Sequence, residues 1–254
     1  MTEANTSPNP RLQAVTQNVY VLPGDMRIVR PWIGVVVTDA GVVLVDSGNG
    51  PAHGRDVLRA LEPLGRPPVT HILLTHHHWD HVFGNCAFPD AHIVAHEKTQ
   101  RHLKVMAREP WSPDYVRAKA AAHPKGEALA RMMLDAVPDW DAFRAVPAAE
   151  TFQDRHELRL GDTTLTVEHV GGQHEPDQCI VHVRPANVLF LGDAVYGRGA
   201  PDSWDSPTLI HDLEAFLARG ADYYVEGHRS PADRRTFADR IEQLRRDAAA
   251  HTSP

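Results

Sequence analysis

The sequence predicts an α/β fold: a four-layer αββα sandwich with a helical insert. Three observations lead there. Short runs rich in Val, Ile and aromatic residues fall into two groups, one before residue 96 and one after residue 155, as strands do. Between them, residues 96–146 are rich in Ala, Arg and Glu, with Pro110, Pro113, Pro124 and Pro138 as punctuation, and read as two or three helices. Helical spacings also occur inside each strand group, so both sheet-forming halves carry helices outside. Periodicity alone does not separate this sandwich from other α/β folds. The residues at the strand ends do.

In chain order, residues 1–12 are polar and rich in Asn, Ser and Pro, an expected disordered tail. Residues 13–254 are expected to form a single domain, since this length suffices for one well-filled core. Residues 18–22 and 32–38 read as strands. Residues 42–45 form a short apolar run ending in the turn-rich D-S-G-N-G at 46–50. Val57, Leu58, Leu61 and Leu64 have helical spacing over residues 54–64, stopped by Gly65 and Pro67-Pro68. Residues 69–75 hold the unbroken run Ile72, Leu73, Leu74, which predicts a strand buried on both faces. Residues 92–95 read as a strand. After the insert come strands at 156–160, 164–170, 179–183 and 188–191, a helix at 206–219, a strand at 223–225 and an amphipathic helix at 232–250.

Composition narrows the partners. The net charge is −7, which argues against nucleic acid, because its binding needs clustered Lys and Arg. No apolar run reaches the length of a membrane span, and the first residues lack the pattern of a secretory signal. Two cysteines, Cys86 and Cys179, make no disulfide framework and suit a reducing compartment. Both read as small buried or semi-buried residues. A cytoplasmic protein acting on a small molecule is expected, with the oligomeric state open.

Seventeen histidines are present, and their placement matters more than their number. Residues 75–81 read T-H-H-H-W-D-H, directly after the buried strand. On an extended backbone residues two apart point the same way, so His76 and His78 can face one ion. A following turn lets Asp80 and His81 face a neighbouring point. His174, Asp193 and His228 recur just after later apolar strands, and loops at one sheet edge converge. Five imidazoles and two carboxylates suit two divalent ions with one shared ligand. This donor set favours zinc and also accepts iron or manganese.

The pattern H-x-H-x-D-H, then a His, an Asp and a His, resembles the metallo-β-lactamase superfamily over most of the chain, from about residue 19 onward. The resemblance implies that His76, His78 and His174 hold one ion, that Asp80, His81 and His228 hold the other, and that Asp193 bridges them. Asp193 resembles the branch containing glyoxalase II and the lactonases, since β-lactamases proper typically lack this bridging carboxylate. Glyoxalase II carries a C-terminal helical domain for glutathione, and only a short helical tail follows His228 here. A lactone or other small ester is therefore the leading substrate class.

The expected chemistry follows from two divalent ions about 3.5–4 Å apart, which share a hydroxide that attacks a carbonyl carbon. Asp80 is expected to orient this nucleophile and receive its proton. Asp46, ending a strand, resembles a family carboxylate that supports a ligand imidazole; a simple turn Asp is the alternative. Tyr196, in D-A-V-Y, resembles a lactonase tyrosine that reaches the substrate, or else packs beside the site. His77 should point away from the metals and Trp79 should pack beneath the loop. Trp111, Tyr115, Trp140 and Phe143 either roof a pocket or form the insert's own core. His53, His71, His92, His96, His102 and His123 are read as ordinary polar residues. The rival readings are a mononuclear iron sulfur dioxygenase, a β-lactam hydrolase and, least favoured, a non-catalytic metal-binding module.

Overall fold

A computed structural model describes residues 10–65, 67–122, 126–196 and 206–251. Most of the expected tail lies outside the described residues, as do His123 and Pro124.

Strands β1 (Gln13–Ala14), β2 (Val19–Leu22), β3 (Ile33–Thr38) and β4 (Gly41–Val45) form an antiparallel meander. Helix α1 (Pro51–Ala60) crosses to β5 (Val69–Leu73), parallel to β4. Pro51 sits in the first turn of α1, where no N–H is needed. The buried stripe of α1 runs through His53, Asp56, Val57, Ala60 and continues to Leu61. Leu58 lies one position past it and Leu64 on a separate 3-10 turn, so both stay 40% exposed. The apolar spacing overstated that face.

The one-turn helix α2 (Trp79–Val82) follows, then β6 (His92–His96), α3 (Glu97–Met106), α4 (Pro113–Ala120), α5 (Gly126–Ala136) and β7 (Glu150–Phe152). β5, β6 and β7 run parallel and complete a seven-stranded sheet in chain order. The insert thus contributes three helices. Trp140 and Phe143 are buried, and Phe143 packs 4.7 Å from Phe83 and 5.3 Å from Trp140 between ring centres. These aromatics are core.

Strands β8 (Arg155–Leu160), β9 (Thr163–His169), β10 (Cys179–Arg184) and β11 (Val188–Gly192) are antiparallel. Helix α6 (Ser206–Ala218) leads to β12 (Tyr223–Glu226), parallel to β11, and β13 (Ala232–Asp233) precedes α7 (Arg234–His251). The second sheet has the order β13-β12-β11-β10-β9-β8. The closing helix begins two residues later than its spacing suggested, because residues 232 and 233 pair with β12. Strands β1, β7 and β13 have two or three residues, too few for a period to show.

Successive strand residues face opposite ways, and this builds four layers. Val36, Val43, Leu73 and Val94 pack against Val167, Val181, Phe190 and Val225 between the sheets. Ile72 and Leu74 face the other way, onto Val57, Leu103 and Met133 beneath α1 and the insert. Leu189, Leu191 and Tyr224 face Leu209, Phe237 and Ile241 under α6 and α7. Each fully buried side chain of this kind stabilises by roughly 1.5–3 kcal/mol. The αββα sandwich is therefore the observed fold. Among the described residues, no helix is long and apolar enough to cross a membrane.

Candidate metal centre

Beyond β5 the chain bends at Thr75, whose carbonyl accepts the Cys179 N–H at 2.7 Å. His76 and His78 stand on one side, ring centres 4.7 Å apart. α2 then turns the chain, with the His81 N–H donating to the His78 carbonyl at 2.9 Å. His76, Asp80 and His81 are buried.

The other three side chains arrive from the second sheet. The loop after β9 brings His174 Nε2 to 3.0 Å from His78 Nδ1. Asp193 follows Gly192 at the end of β11, and His228 follows Gly227 after β12. Gly192 has φ +50, and a Cβ there would lie 2.7 Å from Thr75. A Cβ on Gly227 would lie 2.1 Å from Asp193 Oδ1. Only glycine permits both approaches.

The ligand atoms fall into two groups, His76, His78, His174 and Asp193 in one, and Asp80, His81 and His228 in the other. Within each group they lie within 4.8 Å of one another, and each group could hold a metal ion. Asp193 stands between them. Its Oδ2 is 3.2 Å from His174 Nε2 and 3.4 Å from His228 Nε2, and its Oδ1 is 3.5 Å from His81 Nε2. Asp80 Oδ2 is 3.2 Å from His228 Nε2. The structure thus brings together all seven residues named from the sequence.

These donors fit a divalent cation. His76 Nε2, His81 Nε2 and Asp193 Oδ1 are buried without a hydrogen-bond partner, which costs about 1–3 kcal/mol each; imidazole nitrogen and carboxylate oxygen are zinc-type ligands. The electrostatics agree. Burial opposes ionisation of Asp193, but His81 and His228 outweigh it and hold its carboxyl well below the usual range. Burial also opposes a charged His228, yet Asp193 and Asp80 push it up to about 9. The carboxylates create a field that calls for positive charge at this point.

Asp46 supports the centre from beneath. It has φ +63, uncommon for a residue with a side chain. Its Oδ1 accepts the Thr75 N–H, and its Oδ2 accepts both the Thr75 hydroxyl and His81 Nδ1–H, all at 2.8 Å. With the hydroxyl hydrogen given to Asp46, Thr75 Oγ1 accepts from His76 Nδ1 at 3.0 Å. One carboxylate thereby leaves Nε2 of both His76 and His81 as the lone-pair atom facing the centre.

Several contributors escaped the sequence reading. Thr75 is one. Asp177 is another: His77 turns away from the two groups, to this buried carboxylate at 3.0 Å, which also accepts the Thr99 hydroxyl at 2.8 Å. Glu175 reaches His78 Nε2 at 3.3 Å. The run H-E-P-D at 174–177, two acids beside a candidate ligand histidine, was the available signal. Tyr196 donates its hydroxyl to Glu226 Oε2 at 3.1 Å and accepts the His228 N–H at 3.3 Å. Arg240 donates to Glu226 Oε1 at 2.8 Å. Burial, then the nearby Glu226, raise the Tyr196 pKa, so the hydroxyl keeps its proton. Trp79 packs edge-on against Phe83 at 5.9 Å. His53, His71, His92, His96 and His102 stand outside both groups.

A family model described as the metallo-beta-lactamase superfamily matches residues 28–241. The linear primary-alkylsulfatase of Pseudomonas sp. is 23% identical over 83% of this chain and 44% of its own length. A "Probable metallo-hydrolase" of Mycobacterium tuberculosis is 27% identical over 66% of this chain and 57% of its own. The chain spans about half the length of these curated relatives. Among solved structures, a metallo-beta-lactamase from Pontibacter korlensis superposes with TM-score 0.63 at 18% identity, covering 93% of this chain and 99% of that one. A stereoselective inverting sec-alkylsulfatase from Pseudomonas sp. gives 0.64 at 15% identity, covering 92% and 41%. These structural likenesses establish the fold.

Proposed function

Since the chain belongs to the metallo-beta-lactamase superfamily, we propose that it is a binuclear metal-dependent hydrolase attacking a carbonyl in a lactone, ester or thioester. The observation that carries this reading is Asp193, whose two oxygens reach into both ligand groups. In this reading His76, His78 and His174 hold one ion, Asp80, His81 and His228 the other, and Asp193 is shared. Zinc is the favoured metal, with iron and manganese also accepted by these donors. Such ions act as Lewis acids on a carbonyl and lower the pKa of water from about 15.7 to roughly 7.

The chain's own residues do the rest. Asp46 and Thr75 fix which nitrogens of His76 and His81 face inward. Asp80 orients the attacking water and accepts its proton. Tyr196 holds the His228 backbone, and Glu226 ties it to Arg240 on α7.

The similarity to two alkylsulfatases favours a second reading, hydrolysis of a sulfate ester by the same centre. The experiment is a turnover panel of lactones, carboxylic esters, thioesters, a β-lactam and a primary alkyl sulfate, run on zinc-loaded protein. Turnover of a lactone, ester or thioester supports the first reading, turnover of the β-lactam alone would make the protein a β-lactam hydrolase, and turnover of the sulfate ester alone replaces the first reading with the second. No hydrolysis, with consumption of dioxygen by iron-loaded protein when a persulfide is supplied, would mean a sulfur dioxygenase instead.

A further inference from the structure

We propose that Glu175 is a positioning residue for metal binding: its carboxylate holds the His78 ring so that Nδ1 faces the centre. The inference rests on the ligand assignment proposed above. Of the five imidazoles, His78 is held least by packing. Its side chain is 32% exposed, against 0% for His76 and His81 and 13% for His174 and His228. Rotation about the imidazole's second side-chain torsion is broad and roughly two-fold. A half-turn would replace Nδ1 with a carbon at the centre.

The two ring nitrogens face different partners. Nδ1 lies 3.0 Å from His174 Nε2, on the metal side, while Nε2 lies 3.3 Å from Glu175 Oε1. An ionised carboxylate only accepts, so Nε2 carries the proton and Nδ1 keeps its lone pair. Asp46 does the same for His81 through the opposite nitrogen. Glu175 is itself 7% exposed and adjoins His174, so one loop supplies a ligand and orients another. Two residues on, Asp177 grips the neighbouring His77 at 3.0 Å and is anchored by Thr99. The segment 174–177 therefore seats on the segment 76–78 through three side chains.

His77, His78 and Glu175 also lie close enough to hold an ion of their own, and the test separates that arrangement from the proposal. Zinc affinities of wild type, Glu175→Gln and Glu175→Leu are measured by competition with a chromophoric chelator. Circular dichroism of the metal-free proteins checks that each is folded. Glu175→Leu is expected to weaken one of the two ions by about 10–100-fold and spare the other. Glu175→Gln, whose amide oxygen still accepts from Nε2, is expected to stay within about threefold of wild type. Wild-type affinity for both ions in the Leu variant would overturn the proposal. So would a third wild-type ion that both the Leu and the Gln variants lose, which would make Glu175 a ligand. Wild-type protein that binds no zinc would overturn the ligand assignment itself, a result distinct from both.

Discussion

Four of the seven candidate ligands come from residues 76–81, and the other three from residues 174, 193 and 228. The first set is built locally. A strand, a short connecting segment with a bend at Thr75, and one helical turn aim the four side chains, and Asp46 secures two of them. The second set is built by convergence of distant loops. It depends on glycines at 192 and 227 and on the Tyr196–Glu226–Arg240 link. A local site tolerates little change in its own segment, whereas a convergent one fails through residues far from it in sequence.

The most severe break should come from the convergent side. Gly227→Ala places a methyl group 2.1 Å from Asp193 Oδ1 and 3.0 Å from His81 Cε1. Displacing a carboxylate proposed to be shared should weaken both ions by about 100-fold or more, read by chelator competition. Retention of both ions at wild-type affinity would refute the sharing. Next is Asp80→Ala, which should lower turnover of whichever substrate the panel identifies by about 10²–10⁴-fold. Near-normal turnover with both ions retained would remove Asp80 from its assigned role.

Asp46→Ala tests the local side. It leaves the Thr75 N–H, the Thr75 hydroxyl and His81 Nδ1 without their acceptor. The expected cost is about 1–3 kcal/mol in urea unfolding, with metal affinity down about 10–100-fold. Tyr196→Phe should cost less, about 1 kcal/mol of stability, and loosen only the ion assigned to His228 in the proposed centre. If its turnover collapses while metal affinity is unchanged, the hydroxyl serves the substrate instead.

The two halves also differed in how legible they were. The 76–81 segment declares itself, because dense ligands at a strand end imply a site before any fold is known. His174, Asp193 and His228 each gain meaning only from family resemblance and from the sheet edge that gathers them. Asp46 could be anticipated at its strand end, but not that its Oδ2 would reach both Thr75 and His81. Glu175, Asp177 and Glu226 act through tertiary contacts with partners 97, 100 and 30 residues away, which no local pattern encodes. The layers were readable from apolar runs. The three shortest strands were not, being set by pairing partners.

The smallest effect should lie far from the centre, at Glu168 and Arg219, joined by two hydrogen bonds of 2.6 and 2.7 Å. Hydrogen bonding to Arg219 lowers the Glu168 pKa below its ordinary 4.5. A depressed carboxylate contributes stability above its unfolded pKa and loses it as pH falls through the folded value. Arg219→Ala should therefore cost under about 1 kcal/mol at neutral pH, and the gap to wild type should close below pH 4.5. A gap that persists in acid would mean that the side chain stabilises by packing.

Elemental analysis of zinc-loaded, gel-filtered protein tests the central claim most directly. The proposed sharing of Asp193 predicts two zinc ions per chain, with Asp193→Asn weakening both. One ion per chain, or an Asp193→Asn protein that keeps both at wild-type affinity, would contradict a binuclear centre.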